Sequence, residues 1–262
     1  MCEGGDAVRA LAAAVDAKKR RLDDIRAERG VVPFAALEHS QRIDITYTSN
    51  AIEGNTLTAG ETALVLEKGI TVAGKPLKDH LEAVDHAAAL DWVLRIAADS
   101  EGRITEADIR TLHGLVVATS MPDIAGRYAE QARYVNTDRG VFHFPAPIEI
   151  AALMRDFSAW LAGAAATPET AFAAHRRLVV IHPFSDGNGR TARLLMNLVL
   201  ARAGFPPIAV RPEDRPAYLA ALETDQAGGG HAAFDALLYR RLDGTLDLYL
   251  EAARQARTTL ST

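Results

Sequence analysis

Residues 182–190 read His-Pro-Phe-Ser-Asp-Gly-Asn-Gly-Arg, and Arg193 follows three positions later. A base, a carboxylate, a glycine-rich anion cradle and two guanidinium groups thus lie within twelve residues. His182 is the natural general base. Asp186 can hold a magnesium ion, which usually takes one or two carboxylates plus substrate phosphates. Gly187 and Gly189 can take positive φ and present consecutive backbone N–H groups to a phosphate, aided by the partial positive charge of a following helix. Arg190 and Arg193, three apart on a helix, can reach the same anion.

Each residue also has a purely structural reading. A histidine before a proline ends a helix, Asp-Gly-Asn-Gly makes a turn, and Phe184 is a core anchor. Phe184 keeps that structural role, but His182, Asp186, the two glycines and Arg190 together within nine residues favour the chemical reading. The string lacks the Gly-Lys-Ser/Thr ending of a P-loop and follows a helical pattern rather than a strand, which argues against that nucleotide fold. No His or Cys pair shows zinc-ligand spacing.

Apolar residues at helical spacing flank the string on both sides: Phe172, Ala174, Leu178, Val179 and Ile181 before it, Leu194, Leu195, Leu198 and Val199 after it. The chemistry is therefore expected on a helix-loop-helix, with the second helix over 191–201. Further helices are predicted at 7–29, 33–50, 58–66, 77–98, 105–118, 148–163, 168–181, 213–226 and 232–254, the first ending at Gly30. Arg133-Tyr134-Val135 and Val141-Phe142-His143-Phe144 read as two strands of a β-hairpin joined through residues 136–140. The fold class expected is all-α with one small β-hairpin.

The 262 residues are 48% hydrophobic, enough for one large core or a main domain with an appendage. A net charge of −5 leaves no electrostatic footprint for nucleic acid, and the short basic runs 18–21 and 240–241 read as solvated helix faces. No apolar run is long enough to span a membrane, and the first residues do not resemble a signal peptide, so a cytoplasmic location is the default expectation. The lone Cys2 carries no disulfide.

The string matches at every fixed position the signature of the Fic family, His-Pro-Phe-x-Asp/Glu-Gly-Asn-Gly/Lys-Arg, and the chain resembles that family from about residue 40 to about 250. A second string, Ser49-Asn50-Ala51-Ile52-Glu53-Gly54, resembles the family's inhibitory pattern Ser/Thr-x-x-x-Glu-Gly/Asn, here N-terminal to the core. By itself this string also reads as a helix C-terminus ending in glycine. The domain reading that follows is an N-terminal helical region over 1–39, a Fic domain over 40–255 that includes the inhibitory helix at about 41–55, and a tail over 256–262.

The resemblance implies an adenylyltransferase that moves AMP from ATP to a protein hydroxyl, with magnesium. His182 would deprotonate the target, Asp186 would bind magnesium, and Gly187, Asn188 and Gly189 would hold the phosphates. Arg190 would contact the phosphate chain and Arg193 the γ-phosphate, for which Glu53, flanked by Ser49 and Gly54, would substitute. The hairpin, with Arg133, Tyr134 and Val135, resembles the flap that clamps a target segment by strand addition. It departs from relatives in having Ala129-Glu130-Gln131 after Gly-Arg-Tyr and in a longer turn. Tyr218 resembles a tyrosine of the adenine pocket, although Leu219 stands where relatives carry a second aromatic.

Two rival functions stay open at this level. One is removal of AMP from a modified protein, with Glu53 aligning a water; the other is an ATP-sensing interaction module without turnover. The partners expected are a target protein with a Ser, Thr or Tyr hydroxyl, the chain itself included, with no nucleic acid and no membrane. A homodimer is the oligomer that the resemblance favours, with the helix over 7–29 packing either on the core or on a second copy.

Overall fold

The computed structural model describes residues 3–29, 34–99, 102–137 and 140–259, so Cys2 and Gly30 lie outside the described residues. Ten α-helices are seen among them: α1 Glu3–Arg29, α2 Ala35–Ile52, α3 Ala59–Lys68, α4 Leu77–Ala97, α5 Glu106–Val116, α6 Pro147–Gly163, α7 Pro168–Ile181, α8 Asn188–Arg202, α9 Arg215–Gln226 and α10 Ala232–Thr259. Two short strands, β1 Tyr134–Thr137 and β2 Gly140–His143, pair antiparallel. The all-α class with a small hairpin is what the sequence predicts.

Helix starts follow capping chemistry. Thr58 and Thr105 accept the N–H of Glu61 and Asp108, whose carboxylates accept the threonine N–H in return. Thr167 caps α7 with Pro168 in its first turn, where a missing N–H costs nothing.

The described residues form two compact units, one over 46–204 and the other from 1–45 with 205–262. This division falls at 45/46 and 204/205, whereas the sequence reading drew its boundary at 39/40.

In the first unit α8 is the central element, packed by α7, α4 and α5. The sequence predicts a one-sided apolar face of Leu194, Leu195, Leu198 and Val199. The structure buries Ala192, Met196, Asn197 and Leu200 as well, so α8 is covered on all sides. Truncating Leu195 to alanine in such surroundings costs about 2–5 kcal/mol.

In the second unit α1 packs along α10. Val15 and Leu22 are buried, and Lys18 bridges Asp243 and Asp247 at 2.7 Å each. The basic runs are thus not simply solvated faces. Lys18 is bound to α10, and Arg241 forks onto Asp214 with two bonds of 2.6 Å. Of the two places the sequence left for α1, the structure shows packing on its own chain.

Candidate active site

α7 ends where the chain must turn sharply. His182 closes it at φ 49° and ψ 56°, the one non-glycine residue with positive φ among the described residues. A side chain in that conformation is strained, and such strain collects at functional positions. The imidazole Nδ1–H donates to the Val179 carbonyl at 3.3 Å, which leaves Nε2 as the lone-pair nitrogen. Phe144, just after β2, stacks on the ring with centroids 3.8 Å apart. Burial, helped by the nearby Arg133 charge, pushes the imidazole down to about 4, while Glu53 and Asp186 pull the other way. At neutral pH His182 is therefore an uncharged base.

The loop is braced from three directions. Asn188 donates its amide to the Phe184 carbonyl at 2.8 Å and accepts the Phe184 N–H at 3.0 Å. Both ends of that amide are thus engaged in closing the loop. Ala129 N–H donates to the Pro183 carbonyl at 2.9 Å, and Tyr128 bridges Phe184 in an antiparallel pair. His113 on α5 stacks flat against Phe184 at 3.7 Å, accepts the Gly126 N–H on Nδ1 at 3.0 Å and donates from Nε2 to the Asp186 carbonyl at 3.1 Å. Its burial pushes it down to about 4, so it too is neutral.

Gly187 takes φ 74° as the residue before α8. A β-carbon there would also crowd Val117 and His113 at 3.1 and 3.4 Å. With that turn made, α8 begins at Asn188, three residues earlier than predicted, and Gly189 is helical rather than at positive φ. Its lack of a side chain has a different reason. A β-carbon on Gly189 would collide with the Glu53 carboxylate.

Asp186 is half exposed, and its Oδ1 faces both the Gly187 N–H and Arg190 Nη2, the latter at 3.4 Å. Arg190 is buried, with Nη1 3.2 Å from Glu82 on α4. Its Nε and Nη1 are sequestered from solvent and make no hydrogen bond among the described residues, so the Glu82 contact is an ion pair alone. A buried donor of this kind needs an acceptor, whether a water, an ion or a ligand.

One turn further along α8, Arg193 donates from Nε to Ser49 Oγ at 3.0 Å, and from Nη2 to the Ser49 carbonyl at 2.8 Å and to Glu53 Oε1 at 2.7 Å. α2 ends at Ile52, and Gly54 at φ 93° turns the chain just after Glu53. A β-carbon on Gly54 would meet nothing, so that position needs glycine for its backbone alone.

The flap residues divide. Tyr134 and Val135 lie in β1 with exposed side chains, paired to His143 and Phe142. Arg133 precedes the strand instead of belonging to it. Its guanidinium donates to the His182 and Pro145 carbonyls, tying the base of the hairpin to the signature loop. The ladder runs to Thr137 and Gly140, so the strands extend into the 136–140 stretch that the sequence assigns to the connection. Tyr218 belongs to the other compact unit, where it is buried on α9 with its ring 5.8 Å from that of Phe234.

Sequence reasoning missed His113, Glu82, Phe144 and the clamp made by Arg133. None carries a motif of its own. Each contributes a contact to the loop or to Arg190 from another element.

The comparisons with known proteins fit this geometry. The Fic/DOC family profile matches residues 103–200. The chain is 38% identical over 244 residues to the protein adenylyltransferase Fic of Nematostella vectensis, and 35% identical over 233 residues to protein adenylyltransferase fic-1 of Caenorhabditis elegans. Those alignments take in 90% and 83% of this chain but 55% and 44% of the relatives, so the chain spans about half the length of the curated relatives it matches. A crystallised Fic-domain-containing signaling protein from Bacteroides thetaiotaomicron superposes with a TM-score of 0.80 at 31% identity, covering 91% of this chain and 97% of that one. The chain belongs to the Fic family. Fic-1 from C. elegans is similar as well, with a TM-score of 0.76 and 31% identity over 93% of this chain and 73% of that one. The Fic signature therefore spans the turn between α7 and α8 and the first residues of α8, with the neutral His182 at one end and the buried Arg190 at the other.

Proposed function

We propose that this Fic protein is an adenylyltransferase that moves AMP from ATP to a protein hydroxyl, and that Glu53 restrains it. The observation that carries the reading is the arrangement around α8. A neutral, half-buried base at His182, a glycine turn at the helix start, and two buried guanidinium groups at Arg190 and Arg193 lie together at the start of α8, as binding and attack on a phosphate chain require. The curated relatives are named protein adenylyltransferases, which agrees with it.

In this mechanism the first-turn N–H groups of α8, which have no intrahelical partners, receive the phosphates. Arg190 contributes its buried donors to the phosphate chain, and Arg193 neutralises the γ-phosphate. The target hydroxyl loses its proton to His182 Nε2 as its oxygen forms a bond to the α-phosphorus. The bond from that phosphorus to the bridging oxygen breaks in line, and pyrophosphate leaves with the electron pair. Catalysis is mainly positioning and charge stabilisation.

Among the described residues no group of three or more His, Cys, Asp or Glu side chains could enclose a metal ion. The half-exposed single carboxylate of Asp186 suits an ion that takes the rest of its shell from phosphates and water. Magnesium is such an ion, and when bound it would neutralise charge on the phosphates. Asp186 would hold it, with the His113 bond to the Asp186 carbonyl fixing the backbone from which that carboxylate projects.

The Arg193–Glu53 pair supplies the restraint, because a carboxylate and a γ-phosphate compete for one guanidinium. A second reading, removal of AMP, is favoured by one observation: the Glu53 carboxylate is near enough to His182 to favour its protonation, so the two groups are neighbours. Wild-type, Glu53→Gly and His182→Ala proteins incubated with α-labelled ATP, magnesium and a cell lysate test both. Label is expected on protein, more of it from Glu53→Gly, and none from His182→Ala. Absence of label from the first two proteins overturns the adenylyltransferase reading. Removal of AMP requires that Glu53→Gly lose activity on an adenylylated protein.

A further inference from the structure

Glu82 on α4 touches both halves of the site. It is buried, and its two carboxylate oxygens serve different partners. Oε1 lies 3.2 Å from Arg190 Nη1 and 3.4 Å from Lys78 Nζ, while Oε2 accepts a 3.0 Å hydrogen bond from Asn55 Nδ2. The Glu82 backbone carbonyl also faces the Asn50 amide at 3.4 Å.

Asn50 and Asn55 bracket the turn that carries Glu53. Asn55 N–H donates to the Asn50 carbonyl at 3.1 Å, its Oδ1 accepts the Leu57 N–H at 3.1 Å, and its Nδ2 also reaches the Asp79 carbonyl at 3.0 Å. The Asp79 carboxylate fastens Thr56 through both N–H and hydroxyl, at 2.8 and 2.6 Å. The first turns of α4 thus hold the Glu53 turn from behind, and Glu82 is the part of that hold which also reaches a proposed phosphate-binding arginine.

We propose that Glu82 is a positioning residue that couples the restraint to the nucleotide site, an inference that rests on the adenylyltransferase reading. One carboxylate aims Arg190 and braces Asn55, and through Asn55 the turn that sets Glu53 against Arg193. The chemistry makes this separable. A carboxylate accepts on both oxygens, whereas a glutamine amide accepts on one end and donates from the other. Glu82→Gln must therefore give up either Arg190 or Asn55, and it places an N–H₂ against a donor.

The test has two arms. In the first, amide hydrogen exchange over residues 50–57 is measured without nucleotide in wild type, Glu82→Gln and Asn55→Ala. Both variants should exchange faster by about tenfold or more, as expected on losing a hydrogen bond to a charged group. Asn55→Ala keeps the experiment decisive should Glu82→Gln fold poorly.

In the second arm, calorimetry measures ATP affinity in wild type, Glu53→Gly, Glu82→Gln and the double variant. Glu53→Gly should tighten binding about tenfold with Glu82 present but less than about threefold in the Glu82→Gln background, a coupling that mere loss of stability would not produce. The double variant should bind more weakly than Glu53→Gly alone, because Arg190 is no longer aimed. Unchanged exchange over 50–57 in both variants, or independent effects of Glu53→Gly and Glu82→Gln on affinity, overturns the inference. Absence of ATP binding from all four proteins overturns the functional reading instead, while the exchange arm still decides the brace.

Discussion

Glu53 and Arg193 meet at 2.7 Å although 140 residues separate them in the chain. Arg193 is buried, and the Ser49 hydroxyl and carbonyl bind it beside the carboxylate. The arginine is thereby engaged, and under the proposed function whatever frees it would favour the binding of a triphosphate.

Glu53→Gly should raise AMP transfer by about tenfold or more. The pair removed is a charge-assisted bond, of a kind contributing about 1.5–3 kcal/mol, and its loss leaves Arg193 open to the γ-phosphate. Calorimetry with ATP and labelled transfer to protein check the binding and the rate separately. Equal activity in both proteins would show that the pair does not restrain the enzyme.

Ser49→Ala should lie between wild type and Glu53→Gly. It removes one acceptor from a buried guanidinium, a loss of about 1–3 kcal/mol, while the Ser49 carbonyl and Glu53 remain in place. Transfer rates of the three proteins, measured side by side, give the order; a rate equal to wild type would place the whole restraint on Glu53.

The acid limb of kcat/KM for Glu53→Gly should lie near or below pH 4. His182 must be uncharged to accept a proton, burial has moved it down to about 4, and removing Glu53 takes away a charge that favoured protonation. A profile taken from pH 8 downward should therefore stay flat through 6.5, the ordinary value for histidine. A midpoint near 6.5 would show that the imidazole is solvated during turnover.

Stability should fall as pH drops from about 6.5 to about 4. The unfolded chain protonates His113 and His182 near 6.5, whereas the native protein resists protonation until about 4, so acid favours the unfolded state over that window. Each histidine accounts for about 3 kcal/mol at the acid end, and full stability is present above 6.5. Thermal melts across the range check this, and His113→Phe should flatten the slope while loosening the Asp186 loop, because no donor then fixes the Asp186 carbonyl.

Much of the first unit was legible because its signals are local. α7 ends at Ile181 as predicted, since His182 precedes a proline and the apolar period stops there. The hairpin was legible from alternation, but Arg133 was assigned to a strand because its neighbours are strand-like. The strand begins one residue later, at Tyr134; the Arg133 carbonyl still accepts the Phe144 N–H at 3.1 Å, while its guanidinium reaches the His182 and Pro145 carbonyls. The sequence allows Gly189, like Gly187, a positive φ. Its environment shows instead that it clears space for Glu53, which no local pattern encodes.

The sequence by itself determined the family signature over 182–190 and the all-α class, because each depends on residue types within a few positions of one another. Tertiary structure decided which residues hold that loop and how its charges are shared. His113 on Asp186, Phe144 on His182 and Glu82 between Arg190 and Asn55 all act across elements. The pKa of His182 also had to wait for the fold. A side chain's type sets its ordinary pKa, but its burial and the charges that surround it come from segments far away in the chain.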